Sequence, residues 1–469
     1  MGIKKNKTIK ICLSSSTSII LALATLVTVR TTKFNNLEFV PPLSHLEELR
    51  LEQTLKDNYP ERYNLVHKLP YGTNLPVIDT YAKSVMLIDT ATGDILFEKN
   101  ADTIIPPASM TKLFAMYVVD QEVSGGRFSY DQIIPIPEEA YACNMPPHSS
   151  LMFLGEGHVV TLEELLLGLS ICSGNDAAYA LAYAVSGSMD AFIDRMNQVA
   201  KDLGLTHTHF VEASGYSELN TTTPREMAAF CRIYINEHPD SLKRFHSVPS
   251  FTFPKQQNLP EGETLHYQNF SKGLPKRITM SITQQNTNPL LGKLAGCDGL
   301  KTGYIDESGY NLALTAKRND TRFLSVTMLG PGENAEEGQK IRVADGLTLM
   351  NFAFTNFADY TDTSLFRPYS IRCYGTKEMC FNAVPAFEVK AICVPFVRGE
   401  SVLEDVQNVH ISVKMEDEVY GEVKQGQVVG EIQVTLGEFL LDTIPLVADR
   451  DTTSVNPIFR LADKLSSML

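Results

Sequence analysis

The sequence predicts an α+β protein in which an antiparallel sheet carries a helical subdomain and is followed by a small all-β domain. Three observations carry the prediction. Two strand-like runs joined by a short turn open the folded part at residues 84–99, a mostly helical stretch follows, and strand-like runs return after residue 245. Strands at both ends of a helical middle form one sheet when the first hairpin joins the later strands.

Taken in order, the chain begins with a basic flank. Lys4, Lys5, Lys7 and Lys10 precede an uncharged run over residues 11–29, and Arg30 follows. This is the layout of an export signal. Ala22-Leu23-Ala24 offers a small-x-small cleavage site, while a run of about 19 residues also meets the lower limit for an uncleaved anchor. Residues 1–30 are therefore read as signal peptide or membrane anchor. Either reading places the body of the protein in the periplasm or on the outer face of the cytoplasmic membrane. Residues 31–79 are polar and broken by Pro41-Pro42, Pro60, Pro70 and Pro76, and read as a linker with one helix over 43–56.

Residues 80–361 form the main domain of this reading. Ser84-Val85-Met86-Leu87-Ile88-Asp89 and Ile95-Leu96-Phe97-Glu98-Lys99, separated by Thr90-Ala91-Thr92-Gly93-Asp94, give a hairpin signal. A helix follows Pro106-Pro107, because proline is tolerated before a first helical turn and not inside one. Thr161-Leu162-Glu163-Glu164 matches a capping box ahead of an apolar helix. Helices over 177–185, over 189–203 and from Thr223 to about residue 236 continue the helical part. Strands are then expected at 251–253, 266–269, 297–304, 310–316 and 323–329, with a closing helix over 339–357. Residues 362–455 read as a separate small β domain, with strands over 387–391, 409–413, 430–434 and 439–442. The tail, residues 456–469, places apolar residues at helical spacing and fits either a membrane-surface helix or one packed on its own domain.

Composition narrows the function. With 43% hydrophobic and 20% charged residues the chain has the makeup of a folded globular protein, not a disordered one. A net charge of -14 and the lack of a basic block beyond the N-terminal flank exclude a nucleic-acid partner. The eight cysteines share no spacing and include no Cys-x-x-Cys, so a disulfide framework is not indicated, although Cys373 and Cys380 are placed to bridge a hairpin or to stand as two buried thiols. His207 and His209 alternate as one face of a strand would, and no metal or other cofactor is called for.

The chemistry lies in three short motifs. Ser109-Met110-Thr111-Lys112 sets a hydroxyl and an amine three residues apart at a helix start, on one face. Alone this pattern arises by chance in most long chains. It is followed, however, by Ser173-Gly174-Asn175 and by Lys301-Thr302-Gly303. The ordered set Ser-x-x-Lys, Ser-x-Asn, Lys-Thr-Gly is the signature of penicillin-binding proteins and serine β-lactamases. Within that superfamily the sequence resembles the low-molecular-mass D-alanyl-D-alanine carboxypeptidases, serine peptidase family S11. The likeness runs from about Ala82 to Phe357 through Pro107-Ala108-Ser109-Met110-Thr111-Lys112-Leu113, Ser173-Gly174-Asn175-Asp176-Ala177, Asn286-Thr287-Asn288-Pro289-Leu290-Leu291 and Asp298-Gly299-Leu300-Lys301-Thr302-Gly303-Tyr304. The hairpin with Asp89 and Gly93 and the segment Ala213-Ser214-Gly215 fit too.

The resemblance implies a β-lactamase/transpeptidase-like catalytic domain and a role for each residue. Ser109 is the nucleophile that forms an acyl-enzyme, and Lys112, neutral at that moment, takes its proton. Burial and the cation of Lys301 both disfavour a charged Lys112. Ser173 relays a proton to the departing D-alanine, and Asn175 holds the substrate amide and orients the lysine. Lys301 and Thr302 receive the terminal carboxylate, Gly303 lets the strand lie against the peptide, and the backbone N–H of Tyr304 joins that of Ser109 in an oxyanion hole. Arg342 is a weaker candidate for carboxylate binding. Cys172 reads as buried packing, and Ile305 replaces the small hydroxyl residue frequent in the family.

The expected activity is removal of the terminal D-alanine from peptidoglycan stem pentapeptides, with β-lactam antibiotics as acylating inhibitors and with membrane contact through the N-terminal segment or the tail. A D,D-endopeptidase acting on cross-links is the alternative nearest in chemistry. A β-lactamase is disfavoured because no Glu-x-x-x-Asn element is found and Gly174 replaces the aspartate of Ser-Asp-Asn. A non-catalytic scaffold of the wall machinery is disfavoured because no motif residue is missing.

Overall fold

The computed structural model describes residues 6–35, 40–396 and 408–468, with side chains from residue 18 onward. The basic residues Lys4 and Lys5 lie outside the described residues. The chain divides into two compact units, one made of residues 65–359 with 395–399, the other joining the N-terminal 64 residues to 360–394 and 400–469.

Two helices come first, α1 (Asn6–Asn35) and α2 (His45–Asn58). Ser44 caps α2 through a capping box with Glu47, two backbone donors being satisfied reciprocally. Residues 31–79 were expected to be a linker; instead α2 and the turn after it are built into the second unit. Leu55 packs with Ala386 and Val447, and Arg62 pairs with Asp442 at 2.5 Å. The polar composition misled because only one face of α2 is apolar, enough to dock a short helix on a sheet.

The first unit is organised by a six-stranded sheet. Its strands are β1 (His67–Lys68), β2 (Ser84–Asp89), β3 (Asp94–Lys99), β4 (Cys297–Ile305), β5 (Gly309–Arg318) and β6 (Thr321–Met328), in the order β1-β3-β2-β6-β5-β4. The N-terminal hairpin therefore joins the late strands through the antiparallel β2–β6 pair, Val85 opposite Thr327 and Asp89 opposite Phe323. β4 is an edge strand, so one side of it is open to a ligand.

Helices α3 (Thr111–Ser124), α4 (Leu162–Ser170), α5 (Asn175–Ser186), α6 (Met189–Asp202) and α7 (Pro224–Glu237) make up the helical middle, and α8 (Ala335–Asn356) closes the unit. Thr161 caps α4 through the box with Glu164. α3 is buried on every side from Thr111 to Asp120, with the Phe114 ring stacked on Phe230 at 3.5 Å. A helix that is apolar all round belongs inside. The expected strand at 266–269 is irregular chain: the His266 N–H reaches the carbonyl of Thr279, but the Gln268 N–H goes to the Met280 sulfur instead of a facing strand. Strand propensity without a partner strand does not make a ladder.

The second unit contains a six-stranded sheet with Tyr369–Tyr374, Cys380–Pro385, Val409–Met415, Glu418–Tyr420, Val428–Leu436 and Phe439–Ala448. The expected strand over 387–391 is a turn region; the neighbouring residues Cys380–Pro385 and Ile392–Pro395 are the strands. Cys373 and Cys380 are both buried free thiols. The C-terminal helix α9 (Pro457–Ser466) packs within this unit. Arg30 of α1 forms a two-pronged bond to Asp463 of α9, the Gly375 N–H donates to the same carboxylate at 2.8 Å, and the Phe34 ring lies on Tyr374 at 4.3 Å. Among the described residues no helix is long and apolar enough to cross a membrane.

Candidate active site

The site is built where α3, α5 and the edge strand β4 meet. Pro106 and Pro107 cannot supply helical N–H groups, so the chain turns sharply there, with Ala108 at φ 49°, before a single 3-10 turn carries Ser109 into α3. The left-handed conformation is uncommon for a residue with a Cβ and marks a constrained turn. Lys112, one turn later, then points into the core instead of solvent and is fully buried.

Its amine has three neighbours: Ser109 Oγ at 3.0 Å, Asn175 Oδ1 at 2.8 Å and the Ser214 carbonyl oxygen at 2.5 Å. A neutral amine owns two N–H bonds and one lone pair. The two oxygens that can only accept, from Asn175 and Ser214, take the N–H bonds, which leaves the lone pair for the Ser109 hydroxyl proton. Burial is also the main reason that the amine is pushed down to about 7, against the weaker opposite pull of Glu212 and Asp176.

The second wall is the turn between α4 and α5. Ser173 sits at φ 59° and Asn175 opens α5. The Asn175 side chain is held at both ends, Oδ1 receiving Lys112 and Nδ2 donating to Ser149 Oγ at 3.0 Å. Asp176, fully buried, anchors the turn by accepting from the N–H groups of Met152, Phe153, Leu154 and Ala177 at 2.8–2.9 Å. Burial outweighs these bonds and pushes its carboxyl up to about 6. The Cys172 thiol is pushed up to about 12 by burial, which makes it a poor nucleophile.

The third wall is β4. Lys301 is fully buried, its Nζ donating to the Thr302 carbonyl at 3.0 Å. Burial first, then the charges of Lys112 and Arg342, hold it well below the usual lysine range. For both lysines burial is the leading cause. A Cβ on Gly303 would lie 2.7 Å from the Pro107 carbonyl oxygen and 3.2 Å from Ser109 N. The bare backbone at 303 is therefore required by the nucleophile turn packed against it, a reason distinct from closeness to a peptide. The Tyr304 ring packs, tilted, against Tyr310, and its hydroxyl donates to Asp306 at 2.7 Å. Arg342 is buried and braces the strands, donating to the carbonyls of Asn311 and Gly303.

Ser109, Lys112 and Asn175 are thus in direct contact, and β4 lies against the Ser109 turn. The motifs assigned no role to Ser149, Asp176, Glu212 or the Ser214 carbonyl, although Asp176 and Ser214 lie in segments that carry the resemblance. A buried acid directly after Ser-x-Asn was a signal for Asp176; a backbone carbonyl leaves none.

Residues 72–332 match the D-alanyl-D-alanine carboxypeptidase family, peptidase S11, and residues 400–454 match the C-terminal domain of penicillin-binding protein 5. The chain is 28% identical over 400 residues to D-alanyl-D-alanine carboxypeptidase DacA of Escherichia coli, covering 84% of this chain and 89% of that one. It is 30% identical to DacC of the same organism over 79% of this chain and 84% of the relative. Penicillin-binding protein 5 from Haemophilus influenzae superposes with a TM-score of 0.64 at 27% identity, over 82% of this chain and all of that one. Penicillin-binding protein 6B from Escherichia coli gives 0.60 at 27% identity, over 81% and 98%. The chain belongs to the D-alanyl-D-alanine carboxypeptidases of peptidase family S11, low-molecular-mass penicillin-binding proteins that are serine-type hydrolases.

Proposed function

We propose that Ser109 attacks the carbonyl of the penultimate D-alanine in a stem pentapeptide while Lys112 accepts its proton. The observation that carries this reading is the buried Lys112 amine 3.0 Å from Ser109 Oγ with its two N–H bonds engaged elsewhere. The Ser109 oxygen–carbon bond forms as the peptide carbon–nitrogen bond breaks, and the proton reaches the leaving D-alanine amine by way of Ser173. Water then attacks the acyl-enzyme and releases the tetrapeptide. Asn175 holds the substrate amide, and the backbone N–H groups of Ser109 and Tyr304 stabilise the oxyanion. Lys301 and Thr302 take the terminal carboxylate, whose negative charge favours the protonated form of the buried Lys301 amine. Penicillins acylate Ser109 by the same attack.

The enzyme works outside the cytoplasm at a membrane surface in this reading. The exposed apolar residues Ile19, Ile20 and Leu21 of α1 and Ile458 and Leu461 of α9 support it. Incubation of the protein with a pentapeptide ending in D-Ala-D-Ala and, separately, with a cross-linked dimer, followed by mass measurement, tests the assignment. Loss of one alanine from the pentapeptide is expected, abolished in Ser109→Ala. Cleavage of the dimer with no loss from the pentapeptide would replace the reading by an endopeptidase.

A further inference from the structure

One acidic side chain outside the three motifs is tied to the base. Glu212 lies in the loop between α6 and α7, and its carboxylate gathers the following backbone. It accepts from Ser214 N at 2.7 Å, Ser214 Oγ at 2.5 Å, Gly215 N at 2.6 Å and Ser217 N at 3.4 Å. Asn220 Nδ2 donates to it at 2.9 Å and also reaches Thr111 Oγ1 on α3 at 3.2 Å. Five donors on one carboxylate fix the loop more firmly than neutral turn bonds would, because bonds to an ionised acceptor are the stronger kind.

The loop is wedged against the nucleophile turn. Gly215 has φ +79°, and a Cβ there would fall 1.8 Å from the Ala108 carbonyl oxygen and 2.8 Å from Ser109 N. The Ser214 carbonyl, between the residues that Glu212 holds, is the 2.5 Å partner of Lys112 Nζ. The carboxylate therefore sets the position of one of the two acceptors that orient the lysine lone pair.

We infer that Glu212 is a positioning residue for Lys112, which aims the Ser214 carbonyl at its amine and, through its own negative charge, sets the pH at which the amine becomes a base. The inference rests on the assignment of Lys112 as the base. The charged and titratable groups facing Lys112 are Glu212 from this loop, Asp176 from α5 and Lys301 from β4, with the protonated Cys172 beside the α5 turn. Glu212 is the larger of the two acidic influences that favour the charged lysine. Removing its charge lets the amine lose its proton more readily, so the acid limb of acylation moves to lower pH.

The test is the second-order rate of labelling by a fluorescent penicillin between pH 5 and 9 for the full chain and for Glu212→Gln and Glu212→Asp, with thermal melting of each. In Glu212→Gln the acid limb is expected to fall by about half a unit to one unit, and the plateau rate to drop roughly tenfold as the loop loses an acceptor. Glu212→Asp keeps the charge, so its limb should stay in place while its plateau is lowered and lies above that of Glu212→Gln. A folded Glu212→Gln with an unmoved limb would overturn the inference and reduce Glu212 to a structural acid. Should Glu212→Gln not fold, Glu212→Asp decides alone: a lowered plateau with an unmoved limb is the expected result, and an unchanged plateau or a displaced limb overturns it. Wild-type protein that does not label at all would overturn the functional reading as well, an outcome distinct from either.

Discussion

Arg30 in the second unit and Lys112 in the first are both buried basic side chains, and their partners differ. Arg30 meets a carboxylate, Asp463, face to face and shares it with the Gly375 N–H. Lys112 meets only neutral oxygens, those of Ser109, Asn175 and Ser214, with its acids acting from farther off. A buried charge with a partner stays a charge and fastens two helices together; one without a partner is driven to give up its proton. Burial goes with fastening in one place and, under the proposed function, with a base in the other, and two things separate them: the facing carboxylate, and the choice of lysine, which can lose its proton, over arginine, which cannot.

Ser109→Ala removes the acceptor of the acyl group, and D-alanine release should fall by roughly a thousandfold or more, with penicillin labelling lost altogether. Lys112→Arg turns the catalytic cation into one that cannot lose its proton. Labelling should then drop by about 10²–10⁴-fold even though a cation is still present, which a purely electrostatic role for Lys112 would not produce. Asp463→Ala performs the opposite experiment on the other unit. It leaves Arg30 buried and unpaired and should cost about 3–5 kcal/mol in a denaturant melt of that unit, with penicillin labelling of Ser109 unchanged. A loss of labelling would mean that the clasp is not merely structural. Gly303→Ala should have the smallest effect of the series: the new methyl presses on the Pro107 carbonyl, and a cost of about 1–3 kcal/mol should appear partly as slower labelling and partly as a lower melting temperature.

Sequence patterns reached the cluster around Lys112 because its side chains sit in short motifs whose spacing is set by local geometry. Ser109 and Lys112 are one helical turn apart, Ser173 and Asn175 flank the start of α5, and Lys301 to Tyr304 are consecutive on a strand. The main sheet was legible for the same reason, each strand being a run of apolar residues bounded by turns. What stayed hidden depends on distant parts of the chain. The hub at Glu212 is defined by donors on a loop with no periodicity, and the Ser214 acceptor is a carbonyl that every residue owns. The helix of α2 was legible at 43–56, but it was read as part of a linker because the surface it covers, around Ala386 and Val447, lies far along the chain. The strands expected at 266–269 and 387–391 had the right residue types and no partner strand. The reason for Gly303 was read as contact with a ligand, whereas the nearest atoms belong to the Ser109 turn.

The pH dependence of Ser109 acylation in the unmodified protein tests whether burial among neutral oxygens makes Lys112 the base. A lysine whose protonated form is disfavoured loses its proton as the pH rises through its lowered value, so the base is absent below and present above. The labelling rate should rise along an acid limb centred at about 7 and level off above it. A limb centred near the ordinary lysine value of 10.5 would contradict the account, because it would mean that Lys112 stays charged across the neutral range and that another group takes the proton from Ser109.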